Sequence, residues 1–414
     1  MHEYLDLQSP NKALEKFLNN ISFTPSTELV PTMDALGRVV SSSIKAPHPL
    51  PEFRRSTVDG YAVDAETTFG ASESLPLNIQ VLAEVNMGEI PGFKVGKGEC
   101  ALIHTGGMLP EGTNSVVMLE FTQLIVPGRI EIYQSTAYGE NVIQTGEDVL
   151  TGEVVIPEAR KIRSLEIGGL LALGITELIV NRRPVVGIIS TGDELISPEY
   201  PTQPGKVRDI NSYSLSVLVQ ELGGIPVRYG IIRDDFDLLE KTAKLAFSKS
   251  DLLLITAGSS ASARDITSQI IELLGSPGII VHGINIRPGK PTILAVCEGK
   301  PVIGLPGNPV SAMVIAFLYL KPAIEKLSGL TVNPVRPRFF ARLSTNISSS
   351  SGREDWVAVR LFRKENMESR ELLAEPIFSK SNLIFSLVRA DALARIPPEV
   401  NGMEAGQEVE LLLL

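Results

Sequence analysis

Five polar clusters lie in the middle of the chain, and their residue types can do chemistry. Ile189-Ser190-Thr191-Gly192-Asp193-Glu194-Leu195 ends an apolar run with two hydroxyls, a glycine and two acids. Hydroxyls beside a glycine turn can cradle an anion with backbone N–H groups. Glu194 can hold a metal or orient a substrate, and a solvated turn is the plainer alternative. Val207-Arg208-Asp209-Ile210-Asn211-Ser212 opens a helix, so Asp209 and Asn211 read either as caps or as ligand contacts. Ala257-Gly258-Ser259-Ser260 leads to Asp265 through small residues that let a ligand approach the backbone. The helix N-terminus that follows favours phosphate, and Asp265 reads as a metal ligand or a cap. Arg287-Pro288-Gly289-Lys290-Pro291 flanks a turn with two cations. Arg287 can fork onto an oxyanion and Lys290 can add a point charge, unless the segment is a plain exposed turn. The run is not a nucleotide P-loop, because five residues separate Gly283 from Gly289 and Pro291 stands where Ser or Thr would. Pro306-Gly307-Asn308-Pro309 fixes the start of a last helix, with Asn308 as its N-cap.

Nearer the N-terminus three turn-like segments carry acids or hydroxyls. They are Ser56-Thr57-Val58-Asp59-Gly60-Tyr61, His104-Thr105-Gly106-Gly107 and Thr145-Gly146-Glu147-Asp148. Each reads alone as an ordinary turn.

These clusters need elements to hold them. Ser9 and Pro10 open a helix whose Leu14, Phe17, Leu18 and Ile21 share one face. From Ala46 to Gly146 short apolar runs alternate with Gly/Pro turns, which predicts an all-β module. From Arg183 strands and helices alternate for about 145 residues, which predicts a doubly wound α/β domain with helices on both faces. In such a sheet ligands bind beyond the carboxyl ends of the strands, where all five clusters fall. After Pro334 short strands return as a small β domain.

Whole-chain properties narrow the function. The chain has 414 residues, 43% hydrophobic and 21% charged, enough for several cores without disulfides. A net charge of −10 argues against nucleic acid as the main partner. Cys100 and Cys297 lie in apolar runs and read as core thiols; His2, His48, His104 and His282 are scattered without metal-ligand spacing. Val310 to Leu320 is too short to span a bilayer, and the N-terminus lacks a signal-peptide pattern. A cytoplasmic protein with no membrane association is expected.

STVDGYAV, ENVIQTGEDV, ISTGDEL, DINSYSL, RPGKP and GLPGNPVSA, in this order, resemble the hallmark blocks of the molybdopterin molybdenumtransferase family, bacterial MoeA and the gephyrin E domain. The resemblance covers nearly the whole chain. It implies an elongated N-terminal domain from residues 1–46 and 147–180, an inserted β domain at 47–146, a pterin-binding α/β domain at 181–330 and a C-terminal β-barrel-like domain at 331–414. It implies a homodimer that inserts molybdenum from molybdate into adenylylated molybdopterin, releasing AMP, with Mg2+ as activator. A molybdopterin adenylyltransferase and apo-molybdoenzymes are candidate partners. Asp59, Thr105, Asp148, Glu194 and Asp265 match catalytic positions, with Glu194 and Asp265 toward metal. Arg287, Lys290, Arg353 and Ser381 match positions linked to molybdate. Ser190, Thr191, Gly192, Asp193, Asp209, Asn211, Gly258, Ser260, Pro306, Gly307, Asn308 and Pro309 complete the expected substrate site. The family's GGxSxGxxD pattern is altered here, with Ala257 and Ser262 for two glycines, and Arg287 replaces a lysine. Those changes leave the choice of molybdenum or tungsten open. A binding or scaffold protein without turnover and a molybdopterin adenylyltransferase are the alternative readings.

Overall fold

The apolar run Val185–Thr191 becomes the second strand of a six-stranded sheet. The order from one edge is Ile225–Ile232, Val185–Thr191, Leu252–Ala257, Lys300–Pro306, Ile293–Cys297, Pro277–His282. The computed structural model describes residues 7–257, 261–330, 338–363 and 371–414; the side chains of 261–264 lie outside that description. The chain divides into two compact units, one of Met1–Ser41, Ala159–Arg163 and Leu178–Leu414, the other of Ser42–Glu158 and Ser164–Glu177.

The first four strands of the sheet run parallel, as the strand–helix alternation predicts. Ile293–Cys297 runs the other way, antiparallel to both Lys300–Pro306 and Pro277–His282. The cause is local: only Glu298 and Gly299 join Cys297 to Lys300, both at positive φ. Such a two-residue turn makes a hairpin, whereas a parallel crossover needs a dozen residues or more. Both faces of the sheet are covered. One face packs Val186 and Ile188 with Leu215, Ile315 and Tyr319, and the other packs Ile189 with Leu239, Ala243 and Ile270.

The helix Pro10–Asn20 packs into the first of these cores, burying Ala13 and Phe17 completely. Ser9 stands at its N-cap position without a side-chain capping bond. The expected last helix, Asn308 to Leu327, forms as Pro309–Ile315, a π-helical segment Ala316–Leu320 and Lys321–Leu327. Pro322, which lacks an N–H, follows the π segment, where regular i to i−4 bonding is interrupted. A further helical turn, Phe385–Val388, was not signalled by the sequence.

In the C-terminal region the strands Glu354–Arg363, Leu372–Pro376, Phe339–Leu343, Glu408–Leu413 and Ala392–Ile396 pair in that order. The last pairs back with the first, closing a five-stranded barrel. Ala341, Ala374, Ala392 and Ala394 keep its interior narrow around Val359, Leu343 and Ile396. The second unit holds the expected β module, a six-stranded sheet with the order Ser115–Met118, Gly60–Val63, Glu99–Ile103, Leu77–Val85, Arg129–Ile132, Thr122–Val126. Cys100 and Cys297 are free and buried, and burial pushes each thiol up to about 12. No helix among the described residues is long and apolar enough to cross a membrane.

Phe17 fills the space between its helix and the sheet. Phe17→Ala should cost ~3–5 kcal/mol, the usual range for an aromatic core truncation. A lowered urea midpoint for the unfolding of this unit would show it; an unchanged midpoint would mean the N-terminal helix contributes nothing to that core.

Candidate functional site

The RPGKP segment turns beyond the sheet and meets the C-terminal barrel. Ile286–Arg287 pairs in parallel with Glu354 and Asp355. Gly289 has φ +119, and a Cβ there would lie 2.5 Å from Ile315, so this turn requires glycine. Beside it opens a cavity of about 660 Å3. Arg287, Lys290, Arg353 and Lys380 line it, together with Pro306, Gly307, Asn308, Ser311 and Ser381. Four cations with hydroxyl and amide donors suit a compact polyvalent anion.

The PGNP loop is braced from two sides. Asn211 Nδ2 donates to the Gly307 carbonyl at 2.8 Å. Asn308 Nδ2 donates to Ser381 Oγ at 3.1 Å, and the Val310 N–H donates to the Ser381 carbonyl at 3.1 Å. Asn308 occupies the N-cap position but makes no capping bond there, because its side chain is turned to Ser381. Pro309 starts the helix and does not line the cavity. Two charged lining residues escaped the sequence reading. Lys380 adjoins the expected Ser381, which could have flagged it; Asp355 carried no signal beyond its strand.

At the STGDEL junction Ser190 and Thr191 are buried, and their hydroxyls bond within the sheet. Thr191 Oγ1 donates to the Thr256 carbonyl at 3.2 Å, and Thr256 Oγ1 donates to Ser190 Oγ at 3.4 Å. Glu194 folds over Gly192, whose φ is +149; a Cβ there would lie 2.7 Å from Glu194 Oε2. Lys206 Nζ donates to the Asp193 carbonyl at 2.6 Å. Asp234, just past the strand Ile225–Ile232, joins these acids and accepts a bond from the Asp193 N–H. Partial desolvation, with Asp193 and Glu194 nearby, raises the Asp234 carboxyl above its ordinary value. Asp234 was missed, although the acidic pair Asp234-Asp235 closing a strand was visible in the sequence.

Asp209 is buried and caps its helix, accepting from the Ser212 N–H at 3.1 Å and Ser212 Oγ at 2.6 Å. Asp265 is exposed on the helix Ala261–Glu272, and its carbonyl accepts from Ser268 Oγ at 2.9 Å. Gly258 and Ser260 lie outside the described residues. Ala257 ends a strand and Ser262 falls within a helix, so replacing two glycines there demands no left-handed residue at either position. Among the described residues no three His, Cys, Asp or Glu side chains are arranged to hold a metal.

In the second unit Asp59 and Thr105, which read alone as ordinary turn residues, meet. The Thr105 N–H donates to Asp59 Oδ1 at 2.7 Å and Thr105 Oγ1 donates at 3.1 Å. His104 Nδ1 stands 3.8 Å from the same oxygen, while His104 Nε2 contacts Glu84 Oε1 at 2.9 Å. The two Thr105 bonds hold the Asp59 carboxyl below its ordinary value, with His104 adding to the effect. His104 and Glu84 were not singled out as site residues. Asp148 is exposed, its N–H donating to the Leu50 carbonyl at 3.0 Å.

Three family models match in succession: the MoeA N-terminal region (domains I and II) at residues 8–174, a probable molybdopterin-binding domain at 187–326, and the MoeA C-terminal region (domain IV) at 341–414. A putative molybdopterin biosynthesis protein of Methanocaldococcus jannaschii is 37% identical, covering 99% of this chain and 98% of its own. A molybdopterin molybdenumtransferase of a Nostoc species is 30% identical, covering 100% of this chain and 95% of its own. The crystal structure of a molybdopterin biosynthesis MoeA protein from Pyrococcus horikoshii superposes with a TM-score of 0.82 at 36% identity, covering 99% of both chains.

Asp59 is lowered because hydrogen bonds favour its charged form. The stabilisation from those bonds is present above the ordinary unfolded-state value and is lost as pH falls through the lowered folded-state value. Thr105→Ala removes the hydroxyl and leaves the stronger backbone bond. Asp59 should then titrate higher than in the unaltered protein but still below its ordinary value, read by carboxyl-carbon NMR. An unchanged titration would show that the hydroxyl contributes nothing.

Proposed function

The chain belongs to the MoeA family of molybdopterin molybdenumtransferases, and on that premise we propose that it transfers molybdenum from molybdate to adenylylated molybdopterin with release of AMP. It is a transferase of molybdenum cofactor biosynthesis. One observation carries the detailed reading: four cations and the Ser381 hydroxyl line a single cavity beyond the sheet. Molybdate is a dianion, and charge-assisted donors of this kind are what it requires. Arg287, Lys290, Arg353 and Ser381 bind it, with Lys380 at the same wall. Pro306, Gly307 and Asn308 shape the floor, and Asn211 fixes their loop.

The acidic junction takes the other part of the reaction. Partial desolvation, with Asp193 and Glu194 nearby, disfavours the Asp234 anion at the ends of two adjacent strands, and a hard divalent cation held there would offset that. Mg2+ usually takes one or two protein carboxylates and completes its shell with water and phosphate oxygens. Glu194, with Asp265 on the neighbouring helix, is the proposed holder. When bound, Mg2+ neutralises charge on phosphoanhydride oxygens. Asp59, Thr105 and Asp148 act in the same reaction, supplied across a homodimer. The division into parts at residues 46, 146, 180 and 330, a cytoplasmic location, and contacts with a molybdopterin adenylyltransferase and apo-molybdoenzymes belong to the same proposal.

Incubation with adenylylated molybdopterin and either molybdate or tungstate tests the reading, following AMP and metal incorporation together. Oxyanion-dependent AMP release is expected. Tight pterin binding without AMP release would instead make this a binding protein, and ATP consumption with bare molybdopterin would make it an adenylyltransferase.

Two substitutions separate the parts of the site. Glu194→Gln or Asp265→Asn should lower kcat by about 100-fold, the scale of losing one preorganised charge contact. Lys380→Ala should raise KM for molybdate several-fold and leave kcat nearly unchanged, because a flexible exposed cation contributes mainly to capture. Turnover of the Asp265→Asn protein at the unaltered rate would remove Asp265 from the mechanism.

A further inference from the structure

Asp355 is a carboxylate lining a cavity otherwise suited to anions, and its side chain is only 5% exposed. By charge alone it opposes the ligand. Its bonds give it another role. Arg353 donates Nε to Oδ1 at 2.7 Å and Nη2 to Oδ2 at 3.2 Å, a bidentate fork. Ser349 Oγ donates to Oδ2 at 3.0 Å. Arg287 Nη1 stands 3.8 Å from the same Oδ2, too far for a hydrogen bond.

The two arginines are therefore held unequally. Arg353 is fixed at two points and 30% exposed, whereas Arg287 is 64% exposed and loosely paired. They also come from different elements, Arg353 from the turn before the barrel strand and Arg287 from the loop beyond the sheet. The parallel pairing of Arg287 with Asp355 sets one carboxylate between them.

We propose that Asp355 is the positioning residue of the anion pocket, holding Arg353 as a fixed clamp and Arg287 as a loosely paired arm that exchanges Asp355 for the incoming oxyanion. The inference rests on the reading of this cavity as the molybdate site. An arginine with one edge of its guanidinium tied down keeps its remaining donors oriented, so less rotamer freedom is lost when the anion arrives. Lys380 and Lys290, without such a fork, supply charge without that geometry.

The test is calorimetric titration of the full-length protein with molybdate, and separately with sulfate, alongside steady-state kinetics. Asp355→Asn adds net positive charge to the cavity. Positioning nevertheless predicts weaker molybdate binding, by about tenfold, the scale of one lost charge-assisted interaction. KM for molybdate should rise by a similar factor while kcat at saturation changes less than threefold. Arg353→Lys keeps the charge but cannot form the fork, and should weaken binding similarly. Ser349→Ala removes the third bond to Asp355 and should leave affinity within twofold. Equal or tighter binding by Asp355→Asn would overturn the proposal. So would an affinity loss in Ser349→Ala as large as that in Asp355→Asn, since general loosening of the turn would then explain both. If Asp355→Asn does not fold, unaltered affinity in Arg353→Lys overturns the proposal equally. If the unaltered protein binds sulfate but not molybdate, the molybdate reading fails, and the same variants titrated with sulfate still decide the role of Asp355.

Discussion

The cationic cavity depends on one short stretch of main-chain pairing. Ile286 and Arg287 lie in parallel register with Glu354 and Asp355, joining a loop of the α/β sheet to the first strand of the barrel. The Glu354 N–H donates to the Asn285 carbonyl at 3.1 Å, and the Asn285 side chain donates to the Gly352 carbonyl. Without this seam Arg287 and Lys290 would be exposed cations on a turn, and Arg353 would belong to the barrel alone. A second seam, from Asn308 and Val310 to Ser381, closes the same cavity from the helix side. The cavity is thus made where an open sheet and a closed barrel touch, each contributing two of its four cations.

Buried carboxylates reinforce the first seam. Glu354 and Asp355 are neighbours in sequence and both are buried, so each needs a cation to offset its lost hydration. Glu354 takes Arg395, which donates through Nε and Nη2 at 3.0 and 2.8 Å, and also accepts from Trp356 Nε1 at 2.8 Å. Asp355 takes Arg353. Alternation along the strand sends these two carboxylates to opposite faces, so one ion pair braces the barrel and the other faces the cavity. The protein as a whole carries a charge of −10. Against that background a local group of four cations focuses potential into one cavity instead of spreading it over a surface that would attract nucleic acid.

What the sequence showed, and what it hid, follows from range. Strand ends, glycine turns and the strand–helix alternation are local patterns, and they located the RPGKP and PGNP loops without knowledge of what they face. The reversed direction of Ile293–Cys297 depended on a two-residue turn, Glu298-Gly299, a weak signal beside the apolar runs around it. Hydroxyl roles were less legible. Ser190 and Thr191 read as ligand contacts because they end a strand, yet that strand lies between two others and their oxygens bond within the sheet. Ser9 and Asn308 read as caps by position, but neither makes the capping bond, and tertiary contact with Ser381 claims the Asn308 side chain. Asp234 and Asp355 join their sites through sheet neighbours far away in sequence, so no spacing rule reaches them.

The two acidic loops have opposite electrostatics. Asp59 meets two donors from Thr105 and a histidine, so its anion is stabilised before any ligand arrives. Asp234 is partly desolvated and faces two acids, with one backbone N–H donor in compensation, so its anion is disfavoured. Lys206, the lysine that reaches this turn, donates to the Asp193 carbonyl rather than to a carboxylate. Environments that push carboxyl groups in opposite directions are how one protein obtains distinct roles from one side-chain type. Asp59 thus presents a carboxylate whose Oδ1 is already oriented by two Thr105 donors. Asp234 is suited to responding to a ligand, because any positive charge that arrives beside Glu194 lowers the cost of its ionisation.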